Sequence, residues 1–360
     1  MNRLSRLIVL FSLLLVIAAP ASPAAAERIR KSYQLAMEKW SLDMRIATSQ
    51  EERTQTWAKR PDTTTFARQM WSEIGPALAE EWSIDPAAWF LRVSQGLIST
   101  NENGSTAPTF AKEADLIRKA VEAHHMNSPK LTPMCMALVV NQDPRSLAIL
   151  EKIQASHPDK KIQGVAALGA AMQLKTIGDE GEIMKKRLTF LRKAIIQSSD
   201  IDLDGVSVAK LAEDELYIIR FLTKGRVAPD LTGMDIANRP LTLSAHQGKV
   251  IVLLFWNSNV QDADRVVEIT NEMNRKFRGR PLVIIGVNND PVEKLRSMQA
   301  DGTVTWTNFP DPENKLAGEY RVGSWPLVYV LDHERKIHYA GAPGSFVELT
   351  ADALIGEIKP

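Results

Sequence analysis

KVIVLLFW, from Lys249 to Trp256, is the stretch on which the fold turns. It is short, unbroken, β-branched and aromatic, the pattern of a strand buried on both faces. The residues after it alternate in the same style. Asp262 to Phe277 reads as a helix with Val266, Ile269, Met273 and Phe277 on one side. Leu282 to Val287 is a second buried strand and Leu327 to Leu331 a third. Asp290-Pro291 and Asp311-Pro312 read as caps of helices that reach Ala300 and Tyr320. Asp332 to Arg335 is a turn, Lys336 to Ala340 a fourth strand, and Leu349 to Ile358 a closing helix. This order predicts parallel crossovers with one terminal hairpin.

Upstream, the period changes from strand to helix. Between Glu27 and Gly225, Phe66, Met70, Trp71, Ile74, Leu78 and Trp82 recur at helical steps, as do Met184, Leu188, Leu191 and Ile195. Asp85-Pro86 and Asp143-Pro144 read as an N-cap followed by Pro at the first helical position. His157-Pro158 separates Arg145–Ser156 from Lys161–Ile177 and predicts a helix hairpin. Asn101 to Pro108 reads as a loop. No strict repeat period is visible, so the expectation is a generic array of helix hairpins. Five of the eight Trp lie from Trp40 to Trp89 and are expected in its core.

Three hundred and sixty residues suit two domains. Lys plus Arg is 44 and Asp plus Glu 43, a balance that argues against a general nucleic-acid binder. One cysteine, Cys135, excludes an intramolecular disulfide, a Cys-x-x-Cys pair and any multi-cysteine metal site. Arg3 and Arg6 precede the apolar run Leu7 to Ala19, Pro20 and Pro23 break any helix there, and Ala24-Ala25-Ala26 offers small residues for cleavage. Residues 1–26 therefore read as a secretory signal peptide, with an uncleaved anchor as the other reading. The apolar run is about 13 residues, against the roughly 20 of a membrane span. The expected layout is signal peptide 1–26, helical domain 27–225 and α/β domain 226–360. The destination is the periplasm or the exterior, with no span left after cleavage.

Several ordered motifs in the last third carry a family resemblance. They are APDLTG (Ala228–Gly233), LTLSAHQGKVIVLLFW (Leu241–Trp256), VIIGVNND (Val283–Asp290), GSWPLVYVLD (Gly323–Asp332) and AGAPG (Ala340–Gly344). Together they resemble the thioredoxin-like domain of the secreted redoxins, the TlpA/ResA-like and AhpC/TSA group. The fold class expected is thus an all-helical domain followed by a thioredoxin-like α/β domain. The helical half more loosely resembles the helical regions that precede redoxin domains in secreted bacterial proteins.

The resemblance implies a cis-proline at Pro326 and a Cys-x-x-Cys pair at the start of the helix after Trp256. Here that pair falls on Val260, Gln261, Asp262 and Ala263. The family's chemistry needs a thiolate at a helix N-terminus and a second thiol to resolve the mixed disulfide. Val260 cannot ionise and Ala263 cannot resolve. Cys135, in LTPMCMALVV, reads as a small buried hydrophobe of the other domain. No catalytic residue, cofactor or metal is expected. His124 and His125 point about 100° apart on a helix and have no ligand partner at the next turn. His157 reads as a solvated turn residue, Lys185 to Arg187 as a solvated face, and Asp262 and Asp264 as helix caps.

What the resemblance leaves is a groove formed by Trp256, Asn257, Ser258, Asn259, Trp325 and Pro326, able to take an extended peptide by strand addition. The expected function is a redox-inactive binding module on a helical scaffold, its partner an unknown protein or extended peptide. The alternative is a thiol-disulfide oxidoreductase or a peroxiredoxin-type antioxidant protein.

Overall fold

Asp143 accepts from the Arg145 N–H at 2.8 Å and Pro144 opens the helix behind it, so one short motif fixes where that helix begins. The computed structural model describes residues 21–47, 49–100, 104–140, 143–178, 181–260 and 262–358. They divide into two compact units: one reaches Ile177 and includes Ile196–Ser198, and the other comprises Gly178–Ile195 and the chain from Ser199 onward. The composition change at Gly225 lies inside the second unit.

The first unit contains α1 (Pro23–Ile46), α2 (Gln50–Ala58), α3 (Thr63–Ile74), α4 (Ile84–Val93), α5 (Ala111–Ala120), α6 (Thr132–Val140), α7 (Pro144–Ser156) and α8 (Lys160–Ile177). The hairpin of α7 and α8 turns at His157-Pro158 as expected. Residues 1–20 of the expected signal peptide lie outside the described residues. Pro23 does not break a helix; it occupies the first turn of α1, whose Ser22 cap accepts from Ala25 N. Ile84 opens α4 one residue before Asp85, so Asp85-Pro86 lies within the first turn rather than at the cap. Gly75-Pro76 ends α3 at Ile74, and Trp82 belongs to a separate 3₁₀ turn. The stretch expected as a loop, Asn101–Pro108, ends in a strand, β2 (Thr106–Pro108), which pairs antiparallel with β1 (Ile98–Thr100) just before it. Trp89 is buried as expected, but Trp57 is exposed and meets Trp40 edge-on, with Arg60 over both rings.

Two solvated readings are corrected by tertiary partners. His157 is 2% exposed. Its Nε2 lies 3.1 Å from the Ser128 carbonyl and its Nδ1 accepts from Asp159 N. In α9 (Gly181–Ser198), Arg187 is 1% exposed and meets Glu215 at 3.3 Å, while Leu188 faces out. The buried stripe is therefore Arg187, Phe190, Leu191 and Ala194, set one position off the apolar one. A buried cation requires a partner, and Glu215 of α10 (Val208–Phe221) supplies it.

The second unit also has two short hairpins, β3 (Asp202–Leu203) with β4 (Val206–Ser207), and β5 (Thr232–Met234) with β6 (Pro240–Thr242). Its main sheet comprises β7 (Val250–Trp256), β8 (Leu282–Asn288), β9 (Thr307–Pro310), β10 (Leu327–Leu331) and β11 (Ile337–Gly341). The spatial order is β11-β10-β7-β8-β9. β7, β8 and β9 are parallel, and β10 runs against both β7 and β11. The connections are α11 (Ala263–Lys276), α12 (Val292–Ala300) and α13 (Lys315–Glu319), and α14 (Ser345–Glu357) closes the chain. The strand β9 was not read in the sequence.

Burial on both faces explains KVIVLLFW. Val250, Val252, Leu254 and Trp256 pack in one core layer, and Ile251, Leu253 and Phe255 in the other. Successive side chains of a strand point to opposite faces, so an unbroken apolar run is what a central strand with two covered faces needs.

Candidate functional site

The parallel strands β7, β8 and β9 end together, and their C-terminal ends place the polar residues that the apolar strands exclude. Trp256 pairs with Asn288 in the β7–β8 register, and Asn288 with Pro310 in the β8–β9 register. Because β10 runs the other way, its first residue, Leu327, lies opposite Phe255. That puts Trp325-Pro326, whose peptide bond is cis, at the same end of the sheet as the loop after Trp256.

Asp290 organises that loop. It is 1% exposed. Its carboxylate accepts from Ser258 N at 2.9 Å, Ser258 Oγ at 2.8 Å, Asn259 Nδ2 at 3.3 Å and Asn288 Nδ2 at 2.9 Å. Asn288 in turn accepts from Asp290 N and donates to the Trp256 carbonyl. A buried carboxylate surrounded by donors is stable where an unpaired one is not. Asn257 Oδ1 accepts from Asn259 N at 2.9 Å, which closes the turn locally. Asp290 does not cap the next helix as its sequence suggests: the helix starts at Val292 behind Pro291. The signal available was the cluster of polar residues, Asn288-Asn289-Asp290, at the end of a strand otherwise buried and apolar.

Of the positions expected to hold thiols, Val260 is half-buried, Asp262 exposed and Ala263 buried; Gln261 lies outside the described residues. Ala263 N donates to Val260 O at 3.3 Å, so the two end positions are joined by one turn. Ala263 is the first residue of α11, so Val260 lies before the helix. Asp262 does not cap α11 through its side chain, contrary to expectation: it is left-handed, at φ 59°, and its carbonyl rather than its carboxylate accepts from Val266 N.

Trp256 does not line a groove. It is fully buried, and its indole donates to Asn308 Oδ1 at 2.9 Å. Gly286 makes room for that amide, since a Cβ there would lie 1.8 Å from Asn308 Oδ1. The alternation along β7 places Trp256 on the face of Val250, Val252 and Leu254, so the strand period was the signal for its burial. Trp325 is half-buried on the other face, edge-on to Phe255. Around it Tyr320 donates to the Pro229 carbonyl at 2.6 Å, and Tyr320 packs on Tyr329. Burial pushes the Tyr320 hydroxyl above the ordinary tyrosine range and that of Tyr329 up to about 12, so both stay neutral.

At this end Asn259 is exposed, and Asn257, Ser258, Val260, Trp325 and Pro326 are half-buried, the last two just before β10. They offer amides, a hydroxyl already committed to Asp290 and one aromatic face. Cys135 sits in α6, fully buried, its thiol pushed up to about 12 by burial. Among the described residues no group of His, Cys, Asp and Glu is arranged to hold a metal ion. No described helix is long and apolar enough to cross a membrane.

Residues 224–340 match the model of the AhpC/TSA family. The chain is similar to the thiol-disulfide oxidoreductase ResA of Bacillus cereus, at 23% identity over 114 residues. That match covers 31% of this chain and 66% of the relative, so the chain spans just under two-thirds of it. ResA of Geobacillus kaustophilus is 23% identical over 137 residues, 38% of this chain and 78% of that protein. A solved thioredoxin domain of a thiol-disulfide oxidoreductase from Bacteroides vulgatus is 21% identical, covering 37% of this chain and 98% of its own, with a TM-score of 0.33. A thiol:disulfide interchange protein from a Bacteroides species is 21% identical, covering 38% and 93%, with a TM-score of 0.34. The C-terminal third of the chain is thus similar to the AhpC/TSA family over residues 224–340, and it holds no cysteine.

Proposed function

We propose that the C-terminal domain is a non-catalytic binding module, which takes an extended protein segment beside Trp325-Pro326 while the helical unit serves as its scaffold. One observation carries this reading: the domain has no cysteine, Val260 and Ala263 standing where the resemblance expects the two thiols, and the loop leading to them is held by a buried carboxylate, Asp290. Thiol-disulfide exchange transfers electrons between sulfur atoms, and the domain has none at this end. The fold does not decide activity; the site does.

A thiol-disulfide oxidoreductase, or a peroxiredoxin-type protein, is the second reading, favoured by the names of the relatives. It would have to use Cys135, whose burial opposes both ionisation and access. Export, read from residues 1–26, belongs to the proposal in either case.

The test is direct. The purified chain is assayed for dithiol-dependent insulin reduction and for peroxide consumption, beside Cys135→Ala. Neither assay should exceed the variant's background. Turnover by the parent chain that disappears in Cys135→Ala would overturn the binding-module reading.

A further inference from the structure

Ser22 to Ala26, the tail of the expected signal peptide, is built into the helical unit. Ser22 caps α1: its hydroxyl accepts from Ala25 N at 3.2 Å and its carbonyl from Ala26 N at 3.2 Å. Pro23 opens the helix with no N–H to satisfy. Ala26 is 2% exposed. Ser22 is also tied to α3, because its backbone N–H donates to Glu73 Oε2 at 3.3 Å, across 51 residues of chain.

A signal peptidase reads small residues in an A-x-A-like pattern just before the cut. Three bonds here qualify by residue type. They follow Ala19-Pro20-Ala21, Ser22-Pro23-Ala24 and Ala24-Ala25-Ala26. The peptidase meets the chain before it folds, so residue types alone do not choose among them. The three cuts differ in what they leave to fold. A cut after Ala24 or Ala26 removes Ser22, and with it the cap of α1 and the tie to Glu73. It also sets the new α-ammonium on the first turn of a helix, where the dipole disfavours positive charge. A cut after Ala26 removes a buried residue as well. A cut after Ala21 keeps the cap whole. It turns the one N–H that already faces Glu73 into an ammonium, and a charged donor to a carboxylate makes the stronger hydrogen bond.

We infer that the chain is cleaved between Ala21 and Ser22, so that its mature form begins at Ser22 with the α-ammonium paired to Glu73. Water adds across the amide bond: the Ala21 carbonyl leaves as the carboxylate of the released peptide, and the Ser22 nitrogen becomes the ammonium. This cut rests on the export proposed from residues 1–26 and moves its end from Ala26 to Ala21. It is independent of the binding role of the C-terminal domain.

The test expresses residues 1–360 in a bacterium, separates the exported from the cytoplasmic fraction, and reads the N-terminus by Edman degradation and intact mass. The exported chain should begin Ser-Pro-Ala-Ala-Ala. A start at Ala25 or Glu27 would overturn the cut while export stands, and a chain still beginning at Met1 would overturn both. A second measurement tests the pairing itself. Chains prepared to begin at Ser22 and at Glu27 are compared by thermal melts. The first should melt higher by about 2–4 °C, the shift expected for a lost helix cap. Glu73→Gln should lower the melt of the Ser22 chain and leave that of the Glu27 chain unchanged. Equal melts of the two chains, or an equal effect of Glu73→Gln on both, would overturn the pairing of Ser22 with Glu73.

Discussion

Asp290 receives both hydrogen-bond donors of Ser258, the backbone N–H at 2.9 Å and the hydroxyl at 2.8 Å. The contact joins the loop after one parallel strand to the loop after the next. It gives the loop between Trp256 and α11 a fixed shape.

Asp290→Ala removes that acceptor and leaves several buried or half-buried donors unmet. Hydrogen bonds to charged groups are worth more than neutral ones, so the loss expected is about 2–3 kcal/mol of unfolding free energy. Ser258→Ala deletes one donor and leaves the carboxylate its other three, so it should cost less, about 1.5 kcal/mol. Denaturant melts of the two variants check the ratio. Equal losses would show that Asp290 does not hold the loop.

Gly286→Ala places a Cβ 1.8 Å from Asn308 Oδ1 and 2.8 Å from Trp306 Nε1. The Asn308 amide must then leave the Trp256 indole, whose hydrogen bond it accepts at 2.9 Å. Overpacking of this kind costs about 1–3 kcal/mol. Asn308→Ala breaks the same hydrogen bond, so a double-mutant cycle should show the two losses to be strongly non-additive.

Cys135 should be silent in the folded protein. With its thiol pushed up to about 12 by burial, its reaction with a disulfide reagent at pH 8 should be more than about a thousandfold slower than that of a free thiol. Adding denaturant should release one reactive thiol per chain. Rapid labelling under native conditions would contradict the burial of α6.

Asp332 predicts part of the acid sensitivity. Burial pushes its pKa up, but the N–H groups of Lys336 and Glu334 and the His338 ring outweigh it, and the net value lies below the usual 3.8. A carboxylate depressed on folding adds stability above its unfolded value, and that stability is lost as pH falls through the folded value. The contribution is therefore complete at neutral pH and declines below about pH 4. In Asp332→Asn, stability at pH 7 should drop while stability at pH 2 changes little. Melts at the two pH values measure the difference.

Val260→Cys with Ala263→Cys tests the placement of the lost pair. A single turn joins the two positions, which suits the reach of a disulfide. The double variant should lose two reactive thiols on mild oxidation and regain them with a dithiol. Failure to oxidise would mean that the loop held by Asp290 does not present these residues as the family pattern does.

Much of the sheet was legible because its strands announce themselves. Val250–Trp256 and Leu327–Leu331 are unbroken apolar runs, and a central strand with two covered faces can be little else. Thr307–Pro310 was not legible: a four-residue edge strand containing Asn and Pro has no period to read. His157 and Arg187 misled for a different reason. Their burial depends on Ser128 and Glu215, partners distant in sequence that no local pattern encodes. The candidate site divides the same way. The missing sulfurs could be read from residue types alone. Asp290 could not, because its role exists only once two loops meet.

The hold of Asp290 on Ser258 bridges 32 residues of chain and depends on β7 and β8 lying side by side in one register. It cannot form until the crossover through α11 is complete, since long-range contacts follow the closure of the segment between them. The order of this loop therefore follows the pairing of β7 with β8 on folding. A slip of one residue between β7 and β8 would turn the pleat over and carry the carboxylate away from the loop. The order of this small turn thus reports whether the strand–helix–strand unit behind it has been assembled correctly.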